Sequence, residues 1–194
     1  MRPRKLRSPL ALVVLGLLAE EPLHPYAMRQ RIKERAHDRL PGVRLASLYD
    51  AVQRMAEAGL VRPDDPSREG RRPERVRYLI TKAGYDALEE WVTQGLADPG
   101  HDEFPAALSF MYALGRDRAV ELLEGRAAAL ARAAEADQIT LAQAERDGVA
   151  PIFLSEQRYQ LALRRAEHAW LVTFTEELRT GALGWPTRAE GHHQ

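Results

Sequence analysis

Between residues 45 and 80 the period of the apolar residues changes once, and that change restricts the fold more than any other feature of the chain. Leu45, Leu48, Val52, Met55 and Ala56 recur at intervals of three, four, three and one, the stripe of an amphipathic helix. Gly59 is placed to stop that helix. Leu60-Val61-Arg62 then reads as a short strand and Arg75 to Ile80 as its partner, with Val76, Tyr78 and Ile80 alternating against Arg75 and Arg77. The polar stretch from Pro63 to Pro73 between them is a hairpin tip. A helix running directly into a hairpin must cover one face of each, so the neighbouring segments have to supply the missing layer.

They do so as helices. Ser8 before Pro9 is an N-cap with proline in the first turn, and Leu10 to Ala19 follows as a buried helix ended by Pro22. A second helix starts near Pro25, with Tyr26, Met28, Ile32 and Ala36 expected on one face and Arg29, Arg31, Lys33 and Arg35 on the other. The break at Leu40-Pro41-Gly42 separates it from the helix of the first paragraph. After the hairpin, Thr81 caps a helix whose Ala83, Leu88, Trp91 and Val92 continue the core, and Asp98-Pro99-Gly100 closes the region. Three helices, a hairpin and a linking helix in that order make a winged helix-turn-helix over residues 1–100.

The rest of the chain predicts helices alone, so the fold class is mainly α. A short segment from Pro105 to Leu114 precedes a long Ala/Leu/Glu/Arg-rich helix from Asp117 to about Arg146, broken by Gly148 to Pro151. A last helix from about Ile152 to Arg179 would be on the order of 40 Å long. Its Tyr159, Leu163, Ala166, Trp170, Phe174 and Leu178 recur by four, three, four, four and four. Long helices with one apolar stripe need a partner helix. Residues 101–186 are therefore expected to form a long-helix dimerisation domain that also hosts any effector, and 187–194 a flexible tail.

Composition narrows the function. The 194 residues are 45 % hydrophobic, enough to build cores, and contain no cysteine, which removes disulfides, thiolate nucleophiles and zinc–thiolate sites together. Arg2, Arg4, Lys5 and Arg7 before an apolar run have the order of a secretory signal, but the run is short and Glu20 and Glu21 stand where small residues would be needed. A cytoplasmic protein with no membrane partner is the expectation. Net charge is zero, yet residues 1–90 carry 18 Lys and Arg against 13 Asp and Glu, a balance of +5, and the remainder 10 against 15, a balance of −5. Only the front half is suited to nucleic acid.

A two-helix reader inserts its second helix into the major groove, so Arg44, Ser47, Tyr49, Asp50, Gln53 and Arg54 are the side chains expected to meet base edges and phosphates. Arg68, Arg71, Arg72, Arg75 and Arg77 fall on the hairpin, where guanidinium groups suit phosphates or a narrow minor groove. The bland alternatives are a solvated helix face and a solvated loop, with Tyr49 in the core. Trp91, Phe110, Tyr159, Trp170 and Phe174 are candidates for an aromatic effector cavity between the winged domain and the helices, or else for dimer core. No Gly-rich phosphate loop, His-Glu-x-x-His or Gly-x-Ser-x-Gly occurs, so neither an enzyme nor a metal or cofactor site is expected.

Several segments together resemble the PadR family of transcriptional regulators: Leu10 to Leu18, Pro22-Leu-His-Pro-Tyr26, Ser47-Leu-Tyr49, Met55 to Val61, Gly70-Arg-Arg-Pro73, and Arg77 to Gly84. They span about residues 8–92. The part from Phe104 to Pro186, ending in Trp185-Pro186, resembles the longer helical C-terminal domain of the subgroup related to virulence-gene activators. The resemblance implies a homodimer held by C-terminal helices on a pseudo-palindromic operator, a repressor released by a small molecule. By the resemblance, family tyrosines map onto Tyr26, Tyr49 and Tyr78, and the wing arginine–proline pair onto Arg72 and Pro73. One departure is Pro25, where the family commonly has glycine; proline suits a first helical turn but offers no N–H to a phosphate. The alternative function is a helical protein-interaction adaptor whose winged domain does not bind DNA.

Overall fold

The computed structural model describes residues 6–64, 76–100 and 103–186. Contacts divide the chain into two compact units, Met1–Leu114 and Gly115–Gln194. The division falls after Leu114, later than the Asp98-Pro99-Gly100 turn, because the short helix that follows this turn packs on the first unit.

The first unit is built around α1 (Pro9–Glu20), whose residues from Leu10 to Leu18 are all buried. Ser8 caps it, its Oγ accepting from the Ala11 N–H at 3.2 Å. α2 (Pro25–Glu34) is capped by His24, whose Nδ1 accepts from the Ala27 N–H at 3.0 Å. Met28 and Ile32, one turn apart, enter the core. Tyr26 and Ala36 do not join them as expected. Tyr26 lies two residues from Met28, about 200° round a helix, and is 53 % exposed; Ala36 has left the helix in a left-handed conformation at φ 55°.

A 3₁₀ turn (Leu45–Ser47) leads into α3 (Leu48–Glu57). Leu48, Ala51, Val52 and Met55 are buried, while Leu45 and Ala56 at the ends of the predicted stripe are only half-buried. Gly59 stops the helix at φ +72°, a conformation that favours glycine. β1 (Val61–Pro63) pairs antiparallel with β2 (Tyr78–Ile80), Val61 opposite Ile80 and Pro63 opposite Tyr78. Leu23 adds a bridge on the other side of β2, its N–H and C=O exchanging bonds with Tyr78 at 3.2 and 2.9 Å. Nothing in the periodicity announces that residue, because a single bridge needs no alternation.

α4 (Lys82–Ala97) is capped by Thr81, which accepts from the Gly84 N–H at 3.1 Å and donates to the Gly59 carbonyl at 2.6 Å. A Cβ at Gly84 would collide with the Leu60 carbonyl, so glycine here lets the helix start against the strand. Ala83, expected in the core, is exposed, and Gly84 and Ala87 take the buried positions. α5 (Phe104–Ser109) and a 3₁₀ turn (Met111–Ala113) close the unit.

The second unit is an antiparallel hairpin of α6 (Arg116–Arg146) and α7 (Ser155–Thr180). Ala134, Leu141, Leu154 and Leu161 form one cluster of its core. Arg126–Glu167 and Arg158–Glu145, each at 2.6 Å, cross between the helices, with Arg164–Asp137 and Arg179–Glu124 beside them. α7 turns toward α6 with Leu161, Leu171, Thr175 and Leu178. The stripe read from sequence is the other face. Of its six residues only Leu178 is buried, and Tyr159, Leu163, Ala166 and Trp170 are exposed. Two apolar faces share this helix, and the period alone cannot say which one the chain covers itself.

Candidate nucleic-acid interface

α3 has the two faces that a reading helix needs. Its apolar side is locked into the first unit, leaving Tyr49, Asp50, Gln53, Arg54 and Glu57 in solvent. Gln53 Nε2 donates to Glu57 Oε1 at 3.4 Å, one turn on. Arg44, exposed, precedes the 3₁₀ turn, and Ser47, half-buried, stands at the first position before α3 without capping it. Arg54 and Arg44 have no ion-pair partner among the described residues.

Tyr26, at the start of α2, is exposed, and its hydroxyl accepts from Gln30 at 3.4 Å. Arg29 and Lys33 share its face, and neither has an ion-pair partner among the described residues. The helix's other cations are engaged: Arg31 pairs with Glu21 at 2.7 Å and Arg35 grips Glu20 through two bonds at 2.6 and 2.7 Å. Tyr78, the third of the tyrosines that the resemblance singled out, is buried in the sheet.

At the base of the hairpin Arg77 already has partners, Asp64 Oδ2 at 3.7 Å and the Pro22 carbonyl at 3.3 Å. Arg68, Arg71, Arg72 and Arg75 lie outside the described residues, as does Pro73.

The effector candidates separate. Trp91 is buried on α4, and Phe110 is fully buried where the notch at Gly16 admits its ring. Both are core of the first unit by itself. Phe110 also meets His37 edge-on, ring centroids 5.2 Å apart. On α7, Trp170 and Phe174 stack at 4.6 Å with 15° between planes, and Trp170 is 43 % exposed, as Tyr159 is to a greater degree.

One polar cluster was not anticipated from sequence. Glu20 receives Arg35 and the Tyr112 hydroxyl. Burial alone would raise the Glu20 carboxyl, but the bonds from Arg35 and Tyr112 outweigh it and hold the group below its ordinary value. Burial, then the bond to Glu20, drives the Tyr112 hydroxyl upward. His37 beside them is buried, its Nδ1 without a hydrogen-bond partner among the described residues, and burial together with the Arg35 charge lowers its pKa. The partners lie 15 to 92 residues apart along the chain, a separation that carries no local signal.

Residues 14–90 match the family described as the transcriptional regulator PadR-like family. The match covers 77 of the 194 residues. That family is one of transcriptional regulators. The match ends within α4, so α5, α6 and α7 lie outside it.

Among solved structures the chain is similar to Bacillus subtilis PadR in complex with p-coumaric acid, at 17 % identity and a TM-score of 0.39, covering 88 % of this chain and 99 % of that one. It is similar to the same protein in complex with operator DNA at 19 % identity and a TM-score of 0.35, covering 86 % and 97 %. A PadR-like transcriptional regulator from Bacillus cereus gives 15 % identity and a TM-score of 0.39, covering 87 % and 97 %. No curated protein matches the chain. No helix among the described residues is long and apolar enough to cross a membrane.

Proposed function

We propose that this PadR-like protein is a sequence-specific repressor that binds a pseudo-palindromic operator as a homodimer and is released by a small aromatic molecule. The observation that carries the reading is the exposed face of α3. Tyr49, Gln53 and Arg54 are exposed on a helix whose opposite side is fixed in the core, so the helix can enter a major groove without unpacking anything. Arg44 and Ser47 at its approach suit phosphates, with Tyr26 on the neighbouring helix and the arginines at 68, 71, 72, 75 and 77 assigned to the hairpin.

Dimerisation is supported by the uncovered stripe of α7. Tyr159, Leu163, Ala166, Trp170 and Phe174 line one side of a helix about 39 Å long, and a second copy of the same stripe would remove them from water. Trp170 and Phe174, already stacked, are the side chains best suited to hold a flat aromatic effector.

Selection of bound fragments from random duplex DNA tests the reading. Enrichment of paired half-sites, their centres about one or two helical turns apart, is the expected outcome. A pool that stays random, with no salt-sensitive binding, would leave the adaptor function instead.

A further inference from the structure

The reading face of α3 cannot by itself hold a polyanion. Among Tyr49, Asp50, Gln53, Arg54 and Glu57 there are two carboxylates and one guanidinium, a balance of −1. The start of α2 offers a phosphate little of the backbone that helix N-termini often supply, because only the Tyr26 N–H is left there. Pro25 has no N–H, and the Ala27 N–H is already taken by the His24 cap. Both helices of the reader would meet the duplex, yet the reading face of α3 is net negative and the start of α2 offers a single N–H.

The charge lies further along α2. Arg29, Lys33 and Tyr26 fall within about 60° of one another round the helix at 100° per residue, on the side away from Arg31 and Arg35. α2 and its C-cap Arg35 carry four cations, and the structure sorts them by face. Arg31 and Arg35 turn to the glutamates at the end of α1, whereas Arg29 and Lys33 are exposed without an ion-pair partner among the described residues. In a helix-turn-helix the first helix crosses the sugar–phosphate backbone while the second enters the groove.

We infer that Arg29 and Lys33 of α2 supply a phosphate grip beside that of Arg44 and the hairpin, leaving α3 to read base edges with a face that contributes no net attraction. The inference rests on the DNA-binding function proposed above and assigns the division of labour within it. Arg29 and Lys33 lie on consecutive turns, about 6 Å along the axis, close to the spacing of successive phosphates along one strand.

The experiment measures the affinity of the full-length protein for a mixed-sequence duplex of roughly four turns, as a function of salt. Such binding is almost entirely electrostatic. The variant Arg29→Ala/Lys33→Ala should lower the slope of log K against log salt by about 2 for each subunit engaged, with an unchanged circular-dichroism spectrum because both side chains are exposed. The preference recovered from a random pool should stay the same. The variant Arg132→Ala/Arg146→Ala removes the same charge from α6 and should leave the slope unaltered. An unchanged slope in the α2 variant, or an equal fall in both variants, would overturn the assignment while leaving DNA binding intact. Absence of salt-dependent binding in the wild-type protein would overturn both readings.

Discussion

Replacing Gly16 by alanine sets two well-characterised effects against each other, and the structure decides which prevails. In a helix interior alanine is favoured over glycine by about 1 kcal/mol, and Gly16 lies within α1. A Cβ at that position, however, would sit within 2.5 Å of Cγ, Cδ1 and Cε1 of Phe110. Carbon atoms in contact prefer about 3.5–4.0 Å, so the ring would have to retreat by more than about 1 Å. Phe110 is fully buried and flanked by His37 and Tyr112, which leaves it little room. Overpacking of this kind costs about 1–3 kcal/mol, and three ring carbons in one clash belong at the upper end. Gly16→Ala should therefore destabilise the first unit by about 2 kcal/mol after the propensity gain. Phe110→Ala alone should cost about 3–5 kcal/mol. In the Phe110→Ala background the sign reverses, because the new methyl enters the space left by the ring. Urea unfolding of the four proteins completes a double-mutant cycle. The reasoning fails if Gly16→Ala raises the midpoint in the wild-type background, or if the two effects simply add. A near-neutral Phe110→Ala would instead suit a ring lining a ligand cavity.

The buried His37 predicts a pH dependence: its folded pKa lies below the ordinary 6.5, so the unfolded chain binds the extra proton. Stability of the first unit should be complete above about pH 6.5 and decline as the pH falls through that value, a decline that His37→Leu flattens in thermal melts; Glu20, held below 4.5, adds its own loss only at more acid pH. Arg126, nearly fully buried against a partly exposed Glu167, should cost about 3 kcal/mol as Arg126→Ala, whereas Arg126→Met/Glu167→Leu stays close to neutral, by denaturant unfolding. Trp170→Ala/Phe174→Ala should weaken self-association by about 2 kcal/mol or more with helix content retained, and an unaltered mass by light scattering across a dilution series would remove α7's exposed stripe from the dimer. Arg77→Ala, losing a solvent-exposed pair with Asp64, should change stability by under about 1 kcal/mol, and a larger loss would mean that the Pro22 contact fixes the hairpin.

How far the sequence could be read depends on whether a feature is local. The caps at Ser8 and Thr81, the glycine stop at Gly59 and the alternation about Tyr78 act within a few residues, so helix, helix, helix, hairpin, helix is legible from composition and spacing. Ambiguity arises where a helix offers its neighbours a choice. On α7, Leu161, Leu171 and Leu178 and the series Tyr159, Leu163, Ala166, Trp170 are both acceptable stripes, and only the register with α6, pinned by Arg158–Glu145 and Arg126–Glu167, selects the first. Tyr26 departs from the predicted face for a related reason: its ring is apolar, but its angular position places it opposite Met28. The Glu20–Arg35–Tyr112 cluster was illegible because its members come from three elements, and no periodicity links them.

The two glutamates that end α1 explain how a neutral chain can present a cationic face. Glu20 and Glu21 neutralise Arg35 and Arg31, which fixes α2 on α1 and, by removing those two cations from competition, leaves the remaining positive charge of α2 on the side of Tyr26. The fixing contacts and the presented charges are thus separated by half a turn of one helix. Charge reversal distinguishes this from a mere excess of arginine. Glu21→Lys would add positive charge to the first unit, yet it should weaken rather than strengthen duplex binding at low salt if the orientation of α2 is what matters, because Arg31 would lose its anchor and meet a like charge. Tighter binding in that variant would mean that the duplex responds to total charge alone.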